Sequence, residues 1–256
     1  MTDNPFDADY RQPEPSIFDE LDRETKAKAG SHITYHKDLI QGSDEWLAQR
    51  CGLLTASEMR LIITPTLKVA NNDKTRAHCF ELLFQRLTGY VEPVYVSDDM
   101  LRGKDDEIEA RLQYSKHFAP VTEVGFITND SWGFTIGYSP DGLVGDDGLI
   151  ECKSRRGKYQ VQTIAEDKVP DDYMVQIQTG LLVTGRKWCD FISYSGGLPM
   201  FVKRVEPEPD IQDAIIQAAI AFEKRIVETE REYRATLAAM SKLIPTERRV
   251  VQEMYV

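Results

Sequence analysis

From Tyr138 to Arg156 the chain reads YSPDGLVGDDGLIECKSRR, and three of these residues have the types and spacing to do chemistry. Successive side chains of a strand alternate faces, so Leu149, Glu151 and Lys153 share one face while Ile150 and Cys152 share the other. Asp141 arrives from the preceding segment, behind a proline that fixes the backbone. If the two segments pair, Asp141 and Glu151 converge with Lys153 beside them. Carboxylate oxygens suit a hard cation such as Mg²⁺, which keeps several waters and takes one or two carboxylates plus a substrate phosphate. A lysine at that point orients or activates an attacking water, and the combination fits phosphodiester hydrolysis. A solvated hairpin with an ordinary Glu–Lys pair gives the same bare pattern. What favours chemistry is the apolar strand, in which a charge is costly to bury without a partner or a metal. Asp146 and Asp147 read as turn residues.

These residues have to be positioned by the elements around them. VTEVGFITND, WGFTIGYSPDGLVG and GLIECKSRR are short β-branched and aromatic runs between Gly and Asp turns, and they read as an antiparallel meander. Upstream, Ser43 caps a short helix that Gly52 ends. TASEMRLIIT reads as a second helix, with Thr55 and Glu58 spaced as a capping box. Helices follow over 73–89, with Gly89 as the stop, and over about 102–118. Downstream come a helix over 171–184, the strands WCDFISYS and MFVKRVEP, and a helix over about 208–242. That last helix carries Ile211, Ile215, Ala218, Phe222, Ile226, Tyr233, Leu237 and Met240 on one face. The order predicts a mixed α/β core with helices on the faces of the sheet.

The remaining signals narrow the class. No apolar run approaches the roughly 20 residues of a membrane span, and MTDNPFDADY lacks the order of a signal peptide. Four scattered cysteines without a CxxC pair make zinc-ribbon and disulfide frameworks poor fits, so a reducing cytoplasm is the default. His32 and His36 lack the intervening glutamate of a zincin. The formal net charge of −11 argues against non-specific wrapping of nucleic acid. The charge is uneven, however: residues 1–24 hold eight acidic and two basic residues. Residues 1–35 are expected to form a flexible acidic tail, and 36–256 a single domain. The basic KSRRGK run after the catalytic strand is read as a solvated loop that could contact a nucleic-acid backbone.

The Asp…Glu-x-Lys pattern resembles that of the PD-(D/E)XK nuclease superfamily, and the chain is similar to its lambda exonuclease and YqaJ-type viral recombinase branch. Four collinear stretches carry the resemblance: QGSDEWLAQRCGLLTAS, GKDDEIEAR, SPDGL…GLIECK and YMVQIQTGLLVTGRK. It implies a central mixed sheet flanked by helices. It also implies a Mg²⁺-dependent 5′→3′ exonuclease, with Mn²⁺ as a substitute, that degrades one strand of double-stranded DNA from its ends. Asp141, Glu151, the backbone carbonyl of Cys152 and Glu107 would hold the metal, and Lys153 would act on the water. Arg50, Ser57 and Gln176 would meet phosphates, and Met100 would stand near the point of strand separation. Physics agrees in part, since Arg grips phosphate bidentately and a helix start near Ser57 would favour an anion. Asp130 falls one residue away from a family acidic position. The resemblance further implies a homotrimeric ring, a single-strand annealing protein as partner and action in the host cytoplasm. A PD-(D/E)XK endonuclease and a DNA-end-binding adaptor without nuclease activity are the alternatives.

Overall fold

The computed structural model describes residues 32–93 and 97–248. Most of the expected acidic tail, residues 1–31, lies outside them. Eight strands and six α-helices are described, in the order β1 (Ile33–His36), α1 (Asp44–Arg50), β2 (Leu54–Thr55), α2 (Asp73–Thr88), α3 (Asp98–His117), β3 (Phe126–Asn129), β4 (Ile136–Tyr138), β5 (Gly142–Val144), β6 (Gly148–Ser154), α4 (Gly157–Glu166), α5 (Asp171–Thr184), β7 (Trp188–Tyr194), β8 (Phe201–Val205) and α6 (Pro209–Ala239). Strand β1 begins inside the stretch expected as tail and pairs antiparallel with β3.

The helices start and stop where the chain supplies caps. Ser43 accepts from the Trp46 N–H to open α1, Asn72 opens α2, and Ser97 opens α3 four residues before the expected start. Gly89 and Gly185 close α2 and α5 in the left-handed conformation that glycine adopts without penalty. Two helix expectations are corrected. The stretch after Thr55 is not an α-helix but a three-residue 3₁₀ turn, Met59–Leu61. Thr55 gives its hydroxyl to the Glu58 carboxylate at 2.6 Å, and its backbone pairs with β4, so tertiary pairing overrides the capping-box signal. In the KSRRGK run, α4 begins at Gly157 where a loop was expected.

The expected meander is instead split between two four-stranded sheets. The first has the order β1-β3-β4-β2 and the second β5-β6-β7-β8. Strands β3–β4 and β5–β6 are antiparallel, but β6 and β7 run parallel across the α4–α5 connection. The chain passes from one sheet to the other at Ser139-Pro140-Asp141.

Alternation along β6 divides the core. Leu149 belongs to the core cluster that also holds Cys189, Phe191, Ile177, Leu181 and the α6 residues Ile215 and Phe222. On the opposite face Ile150 and Cys152 pack with Ile192, Ala110 and Tyr114 of α3. Leu149 and Ile150 are fully buried, and each such side chain contributes about 1.5–3 kcal/mol. The predicted apolar face of α6 is buried only through Ile226; Tyr233 and Met240 are exposed.

Candidate active site

The β5–β6 hairpin sets the geometry. Gly142 pairs with Ile150, so Asp141 lies just beyond the last paired residue, opposite Glu151 and within reach of Cys152. There its Oδ2 accepts the Cys152 N–H. Arg186 clasps the hairpin turn by donating to the carbonyls of Gly145 and Gly148, and Lys187 pairs with Asp147 at 2.9 Å. The turn acids thus serve the hairpin, as expected of them.

Glu151 is 1% exposed and meets three side-chain donors. Its Oε1 accepts from Lys153 and from Gln176, each at 2.6 Å, and its Oε2 accepts from the Tyr138 hydroxyl at 2.9 Å. Tyr138 belongs to β4, so this last bond joins the two sheets. Its ring lies against Gly180 of α5, where a Cβ would fall 2.7 Å from the ring. Only glycine permits that approach.

Glu107 is the member of the acidic stretch on α3 that turns toward Asp141; Asp106 instead accepts from the Ser154 hydroxyl. Arg111, one helical turn on, lies 3.7 Å from Glu107 and donates to the Asp141 carbonyl at 3.3 Å. Burial first, then Glu151 and Glu107, push the Asp141 carboxyl well above the ordinary carboxylate range. Burial likewise raises Glu107. For Lys153 burial works against the ammonium, but Glu151 and Asp141 outweigh it and hold the pKa above the ordinary lysine value.

A cleft of about 270 Å³ opens beside Lys153 and Gln176, lined also by Ala56, Ser57, Arg60, Asp172 and Tyr173. It brings Ser57 to the same opening as Lys153. Ser57 is exposed but does not begin an α-helix, so the helix-dipole reason for an anion there is withdrawn. Arg50 lies over the Trp46 ring at 4.3 Å and donates to Ser139 and Thr55, each at 3.4 Å. It thereby bridges the segments that carry Asp141 and Ser57. Met100 is 46% exposed on the first turn of α3. Asp130 is bonded to His32 at 2.8 Å and is 63% exposed, among none of these groups.

The chain's own donors fit a hard divalent cation. Among the described residues no group of three or more His, Cys, Asp or Glu side chains is placed to hold a metal ion by itself. Mg²⁺ does not need one, because it keeps waters and takes few carboxylates. Asp141 and Glu107 carry unfavourable buried charge that a cation would relieve. In a strand, the N–H and C=O of one residue face the same edge. The Cys152 carbonyl thus faces the edge where Asp141 takes its N–H.

Sequence reasoning missed Tyr138, Arg111 and Tyr173. Tyr138 stands three residues before Asp141 in an apolar run, and nothing local marks its hydroxyl. Arg111 could have been found, four residues after Glu107 on the same helical face.

The model of the YqaJ-like viral recombinase domain matches residues 45–187, more than half of the 256-residue chain. The chain belongs to the YqaJ-like viral recombinase family. Every YqaJ-family position just described, from Arg50 to Gln176, falls within the match. An alkaline exonuclease from Laribacter hongkongensis (LHK-Exo) is 36% identical, with 77% of this chain and 98% of that one covered and a TM-score of 0.67. The same enzyme in complex with dAMP is 37% identical over the same shares, also with a TM-score of 0.67. A phage-related exonuclease from Haemophilus somnus 129PT, 14% identical, covers 71% of this chain and 96% of its own with a TM-score of 0.52, a likeness of fold. Among curated proteins nothing matches. The YqaJ-family chain is thus a nuclease of the lambda exonuclease kind, on the PD-(D/E)XK core expected of it. Among the described residues no helix is long and apolar enough to cross a membrane.

Proposed function

We propose that the chain is a Mg²⁺-dependent exonuclease that digests one strand of duplex DNA in the 5′→3′ direction and leaves 3′ single-stranded overhangs. The convergence on Glu151 carries this reading: a buried carboxylate with Lys153 and Gln176 on one oxygen, beside Asp141 and Glu107, at the mouth of a cleft. Asp141, Glu151, Glu107 and the Cys152 carbonyl would hold the cation. Bound there, Mg²⁺ supplies Lewis-acid stabilisation of the phosphate and the leaving oxygen.

The chain's own residues do the rest. Lys153, held on Glu151 at the mouth of the cleft, orients the attacking water and offsets phosphate charge. Gln176 and Tyr138 fix both oxygens of Glu151, which keeps the carboxylate in one orientation. Arg50 and Ser57 flank the cleft as phosphate contacts, and exposed Met100 is the apolar group for strand separation. The reading extends to a homotrimeric ring, a single-strand annealing partner and work in the host cytoplasm during phage-type recombination. LHK-Exo, solved with dAMP, supports a mononucleotide-sized site in this fold.

The test compares linear duplex, labelled at either end with and without a 5′-phosphate, against a covalently closed circle. Release of 5′-terminal label from the linear form, with the circle intact, is the expected result. Cutting of the circle would turn the reading to an endonuclease. Binding of ends without any Mg²⁺-dependent release would turn it to an adaptor.

A further inference from the structure

The two arginines after the catalytic strand have different fates. Arg156 is spoken for: its guanidinium meets both carboxylate oxygens of Asp99, at 3.2 and 2.9 Å. Among the described residues Arg155 has no carboxylate within ion-pair distance, in a chain with 42 acidic and 31 basic residues. It extends the path of β6 by one residue, its N–H donating to the Tyr194 carbonyl at 2.7 Å. Two residues past Lys153, its side chain turns to the same side. Both cations stand over the Tyr173 ring, Lys153 at 5.6 Å and Arg155 at 5.4 Å. Tyr173 in turn lines the cleft beside Lys153 and Gln176.

Arg155 is built in place rather than left loose. Its guanidinium lies 5.1 Å from the Tyr159 ring, and Nη1 donates to the Tyr173 hydroxyl at 2.8 Å. The Nε hydrogen is buried without an acceptor, an expense that a solvated side chain would avoid. Among the described residues Nη2 has no hydrogen-bond partner, and it is not one of the buried unsatisfied atoms, so it is reached by solvent there. Aromatic faces holding a planar guanidinium, with one free edge, are a setting for an oxyanion brought by a ligand.

We infer that Arg155, seated on Tyr173, is a second phosphate-binding residue for the strand being cut. It grips the phosphate next to the one at Lys153. Two strand residues span about 6.6 Å, close to the step between neighbouring phosphates along one nucleic-acid strand. This rests on the nuclease reading for its ligand, but its test does not require turnover.

The experiment measures binding of fluorescent 5′-phosphorylated duplex to the full chain in chelator, across a salt series. Arg155→Gln is expected to weaken binding about tenfold at low salt and to reduce the salt slope by about one. Arg155→Lys, which keeps the charge but loses the stacked fork, should recover the slope and only part of the affinity. Arg156→Gln should bind like the parent. Wild-type affinity and slope in Arg155→Gln overturn the proposal, as does an equal loss in Arg156→Gln, which would mark a general charge effect. If Arg155→Gln does not fold by circular dichroism, Arg155→Lys decides: full parental affinity overturns the proposal, and a partial loss supports it. A parent that binds duplex but releases no nucleotide leaves this inference standing while the nuclease reading fails; a parent that does not bind overturns both.

Discussion

Gln176 and Lys153 donate to the same oxygen of Glu151, each across 2.6 Å. A residue expected to touch phosphate is therefore, in the free protein, a partner of the Glu151 carboxylate. Partners of this kind typically cost 10–100-fold when removed. Gln176→Ala should lower single-turnover nucleotide release by about that factor while Glu151→Ala and Lys153→Ala abolish it. Release by Gln176→Ala at the parental rate would confine Gln176 to packing.

The Tyr138 hydroxyl is the sole described bond to Glu151 Oε2. Tyr138→Phe leaves a buried acceptor unpaired and should destabilise the fold by about 1–3 kcal/mol in urea unfolding. Gly180→Ala should act on the same contact from the other side, because the added methyl falls 2.7 Å from the ring. The two losses should therefore be less than additive in the double variant. Full additivity would separate the contacts.

Arg86 of α2 links the turn after α1 to α6. It donates to the Gly52 carbonyl at 2.8 Å and to both oxygens of Glu223 at 2.7 and 2.8 Å. Glu223→Gln should cost on the order of 2–3 kcal/mol, below the range for a fully buried pair because Arg86 is part exposed. Gly52→Ala should also destabilise, since its φ is +72° and its Cβ would meet Arg86 Cγ at 2.7 Å. Unchanged melting of Gly52→Ala would show that this turn yields.

Asp141 and Glu107 both have carboxyl pKa values raised by burial. A group raised on folding contributes stability that is full below its unfolded pKa, about 4, and is lost as pH climbs through the folded value. In chelator these two groups therefore weaken the fold as pH rises from that point. A cation that neutralises them should restore more at pH 8 than at pH 5. The gain in Tm on adding Mg²⁺ should grow with pH, and Asp141→Asn should flatten it. A gain independent of pH in the parent would count against the cation site.

Much of this site was legible because hairpins are local. The Gly-Asp-Asp-Gly turn, the proline before Asp141 and the alternation of Glu151 with Cys152 are all short-range signals. The Ser97-Asp98-Asp99 start of α3 was equally local and was overlooked. What sequence could not give is pairing at a distance. The parallel match of β6 with β7 joins Glu151 to Phe191, forty residues on. Thr55 and Glu58 carried a sound capping signal, yet pairing of Leu54 and Thr55 with β4 overrode it. Long-range partners also decide which of two adjacent arginines is neutralised.

Tyr138 from the first sheet, Lys153 from the second and Gln176 from α5 all meet at one carboxylate. During synthesis these arrive in order, and the last comes after the whole hairpin has emerged. A nascent chain that already displays Asp141, Glu151 and Lys153 lacks the clamp that orients them until α5 docks. The clamp on Glu151 is therefore a property of the finished fold and not of the hairpin that carries the motif.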